Sequence, residues 1–147
     1  MAGTAQRNMA FGQVNAFVVV VHNKHSPTDE EWSEYLQTVH VLGIDHGTLT
    51  RYLILTEGGA PTFAQRKALD DTLLLVRSRH PTALQTAIVT PSTFVRGVVK
   101  ALSLVHPVYR VFAPQDMHAA YACLGIPPAY FDEIEAIIRS LKAQLRH

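Results

Sequence analysis

Cysteine is almost missing from this chain: Cys123 is the only one in 147 residues. A single thiol makes no internal disulfide and no cysteine-pair zinc site, so a disulfide framework and a zinc ribbon are both excluded, and a reducing compartment is the simpler expectation. Its neighbours Ala122 and Leu124 suit a core position. Charge is scarce as well. With 17% charged residues and a formal net charge of +1, the chain has no bulk attraction to nucleic acid or to acidic membranes. The 48% apolar content at the same time excludes general disorder. Long hydrophobic runs are also lacking: Phe17 to Val21 is far too short to span a bilayer, and it runs into His22-Asn23-Lys24-His25 rather than a small-residue cleavage site. These absences describe a soluble, cytoplasmic protein without membrane insertion. One domain over residues 1–147 is expected, with residues 1–8 disordered and a core large enough to need no staple.

Motifs of known chemistry are equally rare. There is no Gly-x-x-x-x-Gly-Lys-Ser/Thr and no Gly-x-Gly-x-x-Gly, so no nucleotide or dinucleotide enzyme is indicated. Of eight histidines only His22 and His25 lie close together, with no His-Glu-x-x-His, and neither a metal nor a cofactor is expected. Asp29, Glu30 and Glu31 read as the acidic first turn of a helix, and adjacent Asp70 and Asp71 point apart on another. No nucleophile, base and orienting group assemble from spacing alone. A non-catalytic protein is therefore favoured over an enzyme.

What is present is a run of alternating strand and helix signals. The clearest is Arg51 to Val76, where the apolar strand Tyr52-Leu53-Ile54-Leu55 passes through Glu57-Gly58-Gly59-Ala60-Pro61 into a helix capped at Thr62, with Ala68, Leu69, Thr72, Leu73 and Val76 on one face. Met9 to Val14 and Ala16 to Val21 supply two earlier strands with a turn near Asn15. Ser26 to Glu31 starts a helix with Trp32, Tyr35, Leu36 and Val39 on its apolar face, stopped by Gly43 before a loop over 44–50. His80-Pro81 returns the chain to a strand, Thr86-Ala87-Ile88-Val89. Thr90-Pro91-Ser92-Thr93 then repeats the strand-to-capped-helix signal, and Phe94, Val95, Val98, Val99 and Leu102 are expected inward. Gly97 within that helix suggests close packing or the approach of a ligand. His106-Pro107 ends it. Val108 to Phe112 is the last strand, a short helix runs from Pro114 towards Gly125, and a final helix occupies 127–147. The architecture predicted is an α/β sandwich, a mainly parallel sheet with an antiparallel first strand and covering helices.

This order of elements resembles the STAS domain, the fold of anti-sigma-factor antagonists and of the cytoplasmic domains of sulphate transporters, in its divergent bacterial branch. The resemblance spans Met9 to Leu124 and rests on Tyr52 to Val76 and on AIVTPSTFVRGVVKAL followed by VYRVF. It implies a regulatory, protein-interaction module in bacterial signalling, with the phosphoacceptor of that family falling at Thr62. The family motif there is Asp-Ser-Ser/Thr-Gly, whereas this chain has Gly-Gly-Ala-Pro-Thr, and Thr62 also reads simply as a helix cap.

Two surfaces follow as candidates. Ligands of open parallel sheets bind beyond the carboxyl ends of the strands, which are followed here by His22 to His25, Glu57 to Thr62 and Thr90 to Thr93. An anionic small molecule or a protein partner is expected on His22, Lys24, Gly58, Gly59, Thr62, Arg66, Ser92 and Arg96, because helix N-termini and basic side chains meet there. The second surface is the stripe Phe131, Ile134, Ile138, Leu141 and Leu145 of the last helix, which either packs on the sheet or makes a homodimer.

Overall fold

The computed structural model describes residues 6–42, 50–79, 84–105 and 109–146. The expected stop at Gly43, the loop over 44–49, the His80-Pro81 and His106-Pro107 breaks and the side chain of Val76 lie outside the described residues.

Five strands form one sheet in the order of the chain: β1 (Met9–Val14), β2 (Phe17–His22), β3 (Thr50–Thr56), β4 (Leu84–Val89) and β5 (Tyr109–Phe112). The first pair is antiparallel and the other three pairings are parallel. A two-residue turn makes the hairpin, with Asn15 at a φ of 54°, a left-handed conformation that asparagine adopts more readily than most residues. The β-branched runs read from the sequence are these strands, β2 being buried at every position.

Helix α1 (Asp29–His40) follows β2, α2 (Phe63–Arg79) follows β3, and α3 (Thr93–Val105) follows β4. Thr28 caps α1 through a capping box: its hydroxyl accepts the Glu31 N–H while the Glu31 carboxylate accepts the Thr28 N–H. The acidic residues at 29–31 thus belong to a helix start, as their position in the sequence implies. Trp32, Tyr35 and Val39 bury against Val18, Val20 and Tyr52, and Leu69 and Leu73 of α2 pack on the same cluster. The indole Nε1 of Trp32 donates to the Gln65 carbonyl oxygen at 2.8 Å, which ties the start of α1 to that of α2.

After β5 a 3-10 turn at Pro114–Asp116 leads into α4 (Met117–Cys123), and a second at Pro128–Tyr130 into α5 (Phe131–Lys142). These two helices cover the opposite face of the sheet. There Val19, Val21, Leu53, Leu55, Ala87 and Val89, the alternate strand residues, meet Tyr121, Ile134 and Ile138.

The structure decides one alternative and corrects two expectations. The stripe Phe131, Ile134, Ile138, Leu141 and Leu145 is core rather than a dimer surface: Ile134 is 0% exposed, Leu141 4%, and Phe131 lies 4.7 Å from Tyr121 between ring centroids. The sheet face left open by α1 and α2 is wide enough to take the whole stripe. The last helix is also shorter than 127–147, because residues beyond Lys142 leave it to pair with the start of the chain. Residues 6–8 are for that reason not disordered. The Arg7 N–H donates to the Gln144 carbonyl at 3.1 Å, and the Arg146 N–H donates to the Arg7 carbonyl at 2.7 Å.

Candidate functional site

The carboxyl ends of β2 and β3 are followed by two loops that lock together. Thr56, the last residue of β3, donates its hydroxyl to the Gly59 carbonyl at 2.6 Å and accepts the Gly58 N–H at 3.1 Å. The Gly59 N–H donates to the Asn23 carbonyl at 2.9 Å. Gly59 sits so close to the first loop that a Cβ there would collide with the carbonyl oxygens of Asn23 and His25, which explains why the glycine pair is needed. Gly58, at a φ of 135°, makes the turn itself.

Asn23 joins three stretches of chain. Its Oδ1 accepts the His25 N–H at 2.8 Å, and its Nδ2 donates to Asn8 Oδ1 at 3.0 Å and to the Arg146 carbonyl at 2.9 Å. With the loop after β3 on one side and the end of α5 on the other, this junction frames a cavity of about 330 Å³. Lys24, Lys142 and Arg146 line it, with Glu57 as its carboxylate and His25 beside them. Neither lysine has a hydrogen-bond or ion-pair partner among the described residues, and Arg146 makes one side-chain contact, from its guanidinium to the Gln6 carbonyl at 3.3 Å.

Sequence reasoning reached the two loops but not Lys142 and Arg146. These are brought in by the return of the C-terminal segment to Arg7, a pairing between residues 138 positions apart for which the sequence carries no local signal. Of the residues expected to hold an anion, Lys24 lines the cavity, and Gly58 and Gly59 shape its neighbouring loop.

His22 takes no part as a cation, which corrects its assignment to the anion site. It is 5% exposed, its Nδ1 has no hydrogen-bond partner, and burial lowers its pKa from 6.5 to about 4 against the opposing pull of Glu31. At neutral pH it is an uncharged ring.

Thr62, Arg66, Ser92 and Arg96 stand apart from the cavity lining. Thr62 is exposed and caps α2: its hydroxyl accepts the Gln65 N–H at 3.2 Å while Gln65 Oε1 accepts the Thr62 N–H at 2.9 Å. Gln65 is buried and also donates from Nε2 to the Pro27 carbonyl and Asp29 Oδ1. Ser92 caps α3 by accepting the Val95 N–H, and Arg96 folds back to donate to the Thr90 carbonyl at 2.8 Å. Arg66 is exposed on the first turn of α2.

No family model, curated protein or solved structure matches this chain. Its function has to be argued from its own surfaces.

The other surface that stands out is α3. Its Val99 is buried, and Val95, Arg96 and Ser103 are half-buried on the same side, where Arg96 reaches the Thr90 carbonyl. The expectation that Phe94, Val98 and Leu102 face inward is thereby corrected: Phe94 is 80% exposed, and Val98 and Leu102 are exposed beside it at steps of four residues. Gly97 meets nothing within 4 Å of where a Cβ would stand, so close packing within the chain does not account for it. Leu104 at the end of the helix is 88% exposed. The helix is thus apolar on two faces, and the described residues cover one. Among the described residues, no helix is long and apolar enough to cross a membrane.

Proposed function

We propose that this chain is a non-catalytic regulatory module of STAS-like type that docks a protein partner through the outer face of α3. The observation that carries the reading is the run Phe94, Gly97, Val98, Ala101 and Leu102, an apolar face without a polar residue, all of it exposed. A helix apolar on both faces has the pattern of a buried one. Contiguous exposed apolar surface of this kind marks interaction sites on soluble proteins. The small side chains of Gly97 and Ala101, four residues apart, leave room for another backbone to approach, and Phe94 and Leu102 flank them as anchors. The strand order β1-β2-β3-β4-β5 is consistent with the element order on which the STAS resemblance rests. Thr62, as the exposed cap of α2, is the place where a phosphate would be added in such a module, and its addition would compete with the Gln65 N–H for the hydroxyl oxygen.

A photo-crosslinking residue at position 98, set against one at exposed Asp132 on α5, tests the reading in cells of the native host. The module reading expects one dominant protein adduct from position 98, absent from position 132 and lost when Phe94→Asp is added. Equal labelling from both positions, or an adduct indifferent to Phe94→Asp, would count against it.

A further inference from the structure

We infer that the cavity between the loops after β2 and β3 and the end of α5 binds a small phosphate monoester. Its walls come from three separate stretches of chain, and the bonds of Asn23 and Thr56 hold those stretches in place without using the charged side chains. Lys24, Lys142 and Arg146 against Glu57 leave an excess of two positive charges around one hollow. Cations near the end of α5 are favoured by the helix dipole alone, which accounts for Lys142. It does not account for Lys24, which comes from the loop after β2.

Two lysines without partners among the described residues and Arg146, held only by the neutral Gln6 carbonyl, repel one another, and a ligand that supplies two negative charges removes that cost. A phosphate monoester at neutral pH carries close to two charges and three acceptor oxygens, and matches the excess. Glu57 is an acceptor in the same cavity, so the remainder of the molecule should offer a donor such as a hydroxyl group. The volume of about 330 Å³ suits a small metabolite rather than a macromolecular segment. This site is separate from the α3 face, so either assignment can fail without the other.

The test is an amide NMR titration of the full chain with glycerol 2-phosphate. Saturable shifts are expected at Lys24, His25, Glu57 and Gly58. The double variant Lys24→Ala, Lys142→Ala should bind about tenfold more weakly or worse, on the scale of losing charge-assisted contacts. Both lysines are exposed, so the variant keeps the fold, which its unchanged spectrum away from the cavity verifies. Absence of saturation, or equal affinity in the double variant, overturns the assignment.

Discussion

Asn23 and Arg146 are joined by a hydrogen bond across 123 residues, from the Asn23 Nδ2 to the Arg146 carbonyl at 2.9 Å. With its bonds to Asn8 and His25, this single buried side chain holds together the start of the described chain, the loop after β2 and the C-terminal segment. Asn23→Ala removes all three bonds and leaves the Arg146 carbonyl and the His25 N–H without this partner. A loss of about 1–3 kcal/mol in urea unfolding is expected, together with faster amide exchange at residues 144–146.

Acid should weaken the fold through His22. Its pKa is about 4 in the folded protein and 6.5 as the ordinary value, so the unfolded chain binds more protons between these pH values. The stability due to this group is therefore complete above pH 6.5 and falls as the pH drops towards 4, by about 3 kcal/mol in all. Urea midpoints measured from pH 7 to pH 4.5 should decline in the wild type, and less steeply in His22→Met. Parallel profiles would show that other groups cause the decline.

The rotation of α3 can be checked with neighbouring substitutions. Val98→Glu places a charge on the exposed face and should change stability by less than about 0.5 kcal/mol, as surface changes usually do. Val99→Glu puts the same charge beneath the helix, where burial of an unpaired carboxylate should unfold the domain or nearly so. Circular dichroism melts of the two separate them, and the order of their midpoints would reverse if Val98 faced the sheet.

For α5 the contrast lies between core and surface. Replacing Ile138 and Leu141 together by aspartate should produce unfolded or aggregated protein, since both are buried on the β-sheet. A folded protein by light scattering and circular dichroism would contradict the packing described for α5.

Much of the fold was legible because its signals are local. The strand β2 is written as Phe17-Val18-Val19-Val20-Val21, the start of α1 falls within Ser26 to Glu31, and Thr62 caps α2, whereas the partners that close these starts, Glu31 for Thr28 and Gln65 for Thr62, are seen only in the structure. Periodicity shows that a helix has an apolar face, but α3 has two, and its sequence alone does not say whether Val99 or Phe94 and Val98 will be covered. The stripe of α5 was legible as a stripe, and its place was not, since that depends on which face of the sheet the first helices leave open. The two loops at the carboxyl edge were foreseen from strand order. Lys142 and Arg146 could not be, because nothing near them in the chain says that residues 144–146 run beside Arg7.

The pairing of Arg7 with Leu145 also couples the start of the described chain to the cavity. The bridge is parallel, so the backbone leads away from it in opposite directions at Gln6 and at Arg146, while Leu145 and Arg146 on one side of it line the cavity. Whatever loosens this bridge also frees Leu145 and Arg146 from the cavity wall, so occupancy of the cavity and the seating of the C-terminal segment beside Arg7 should each strengthen the other.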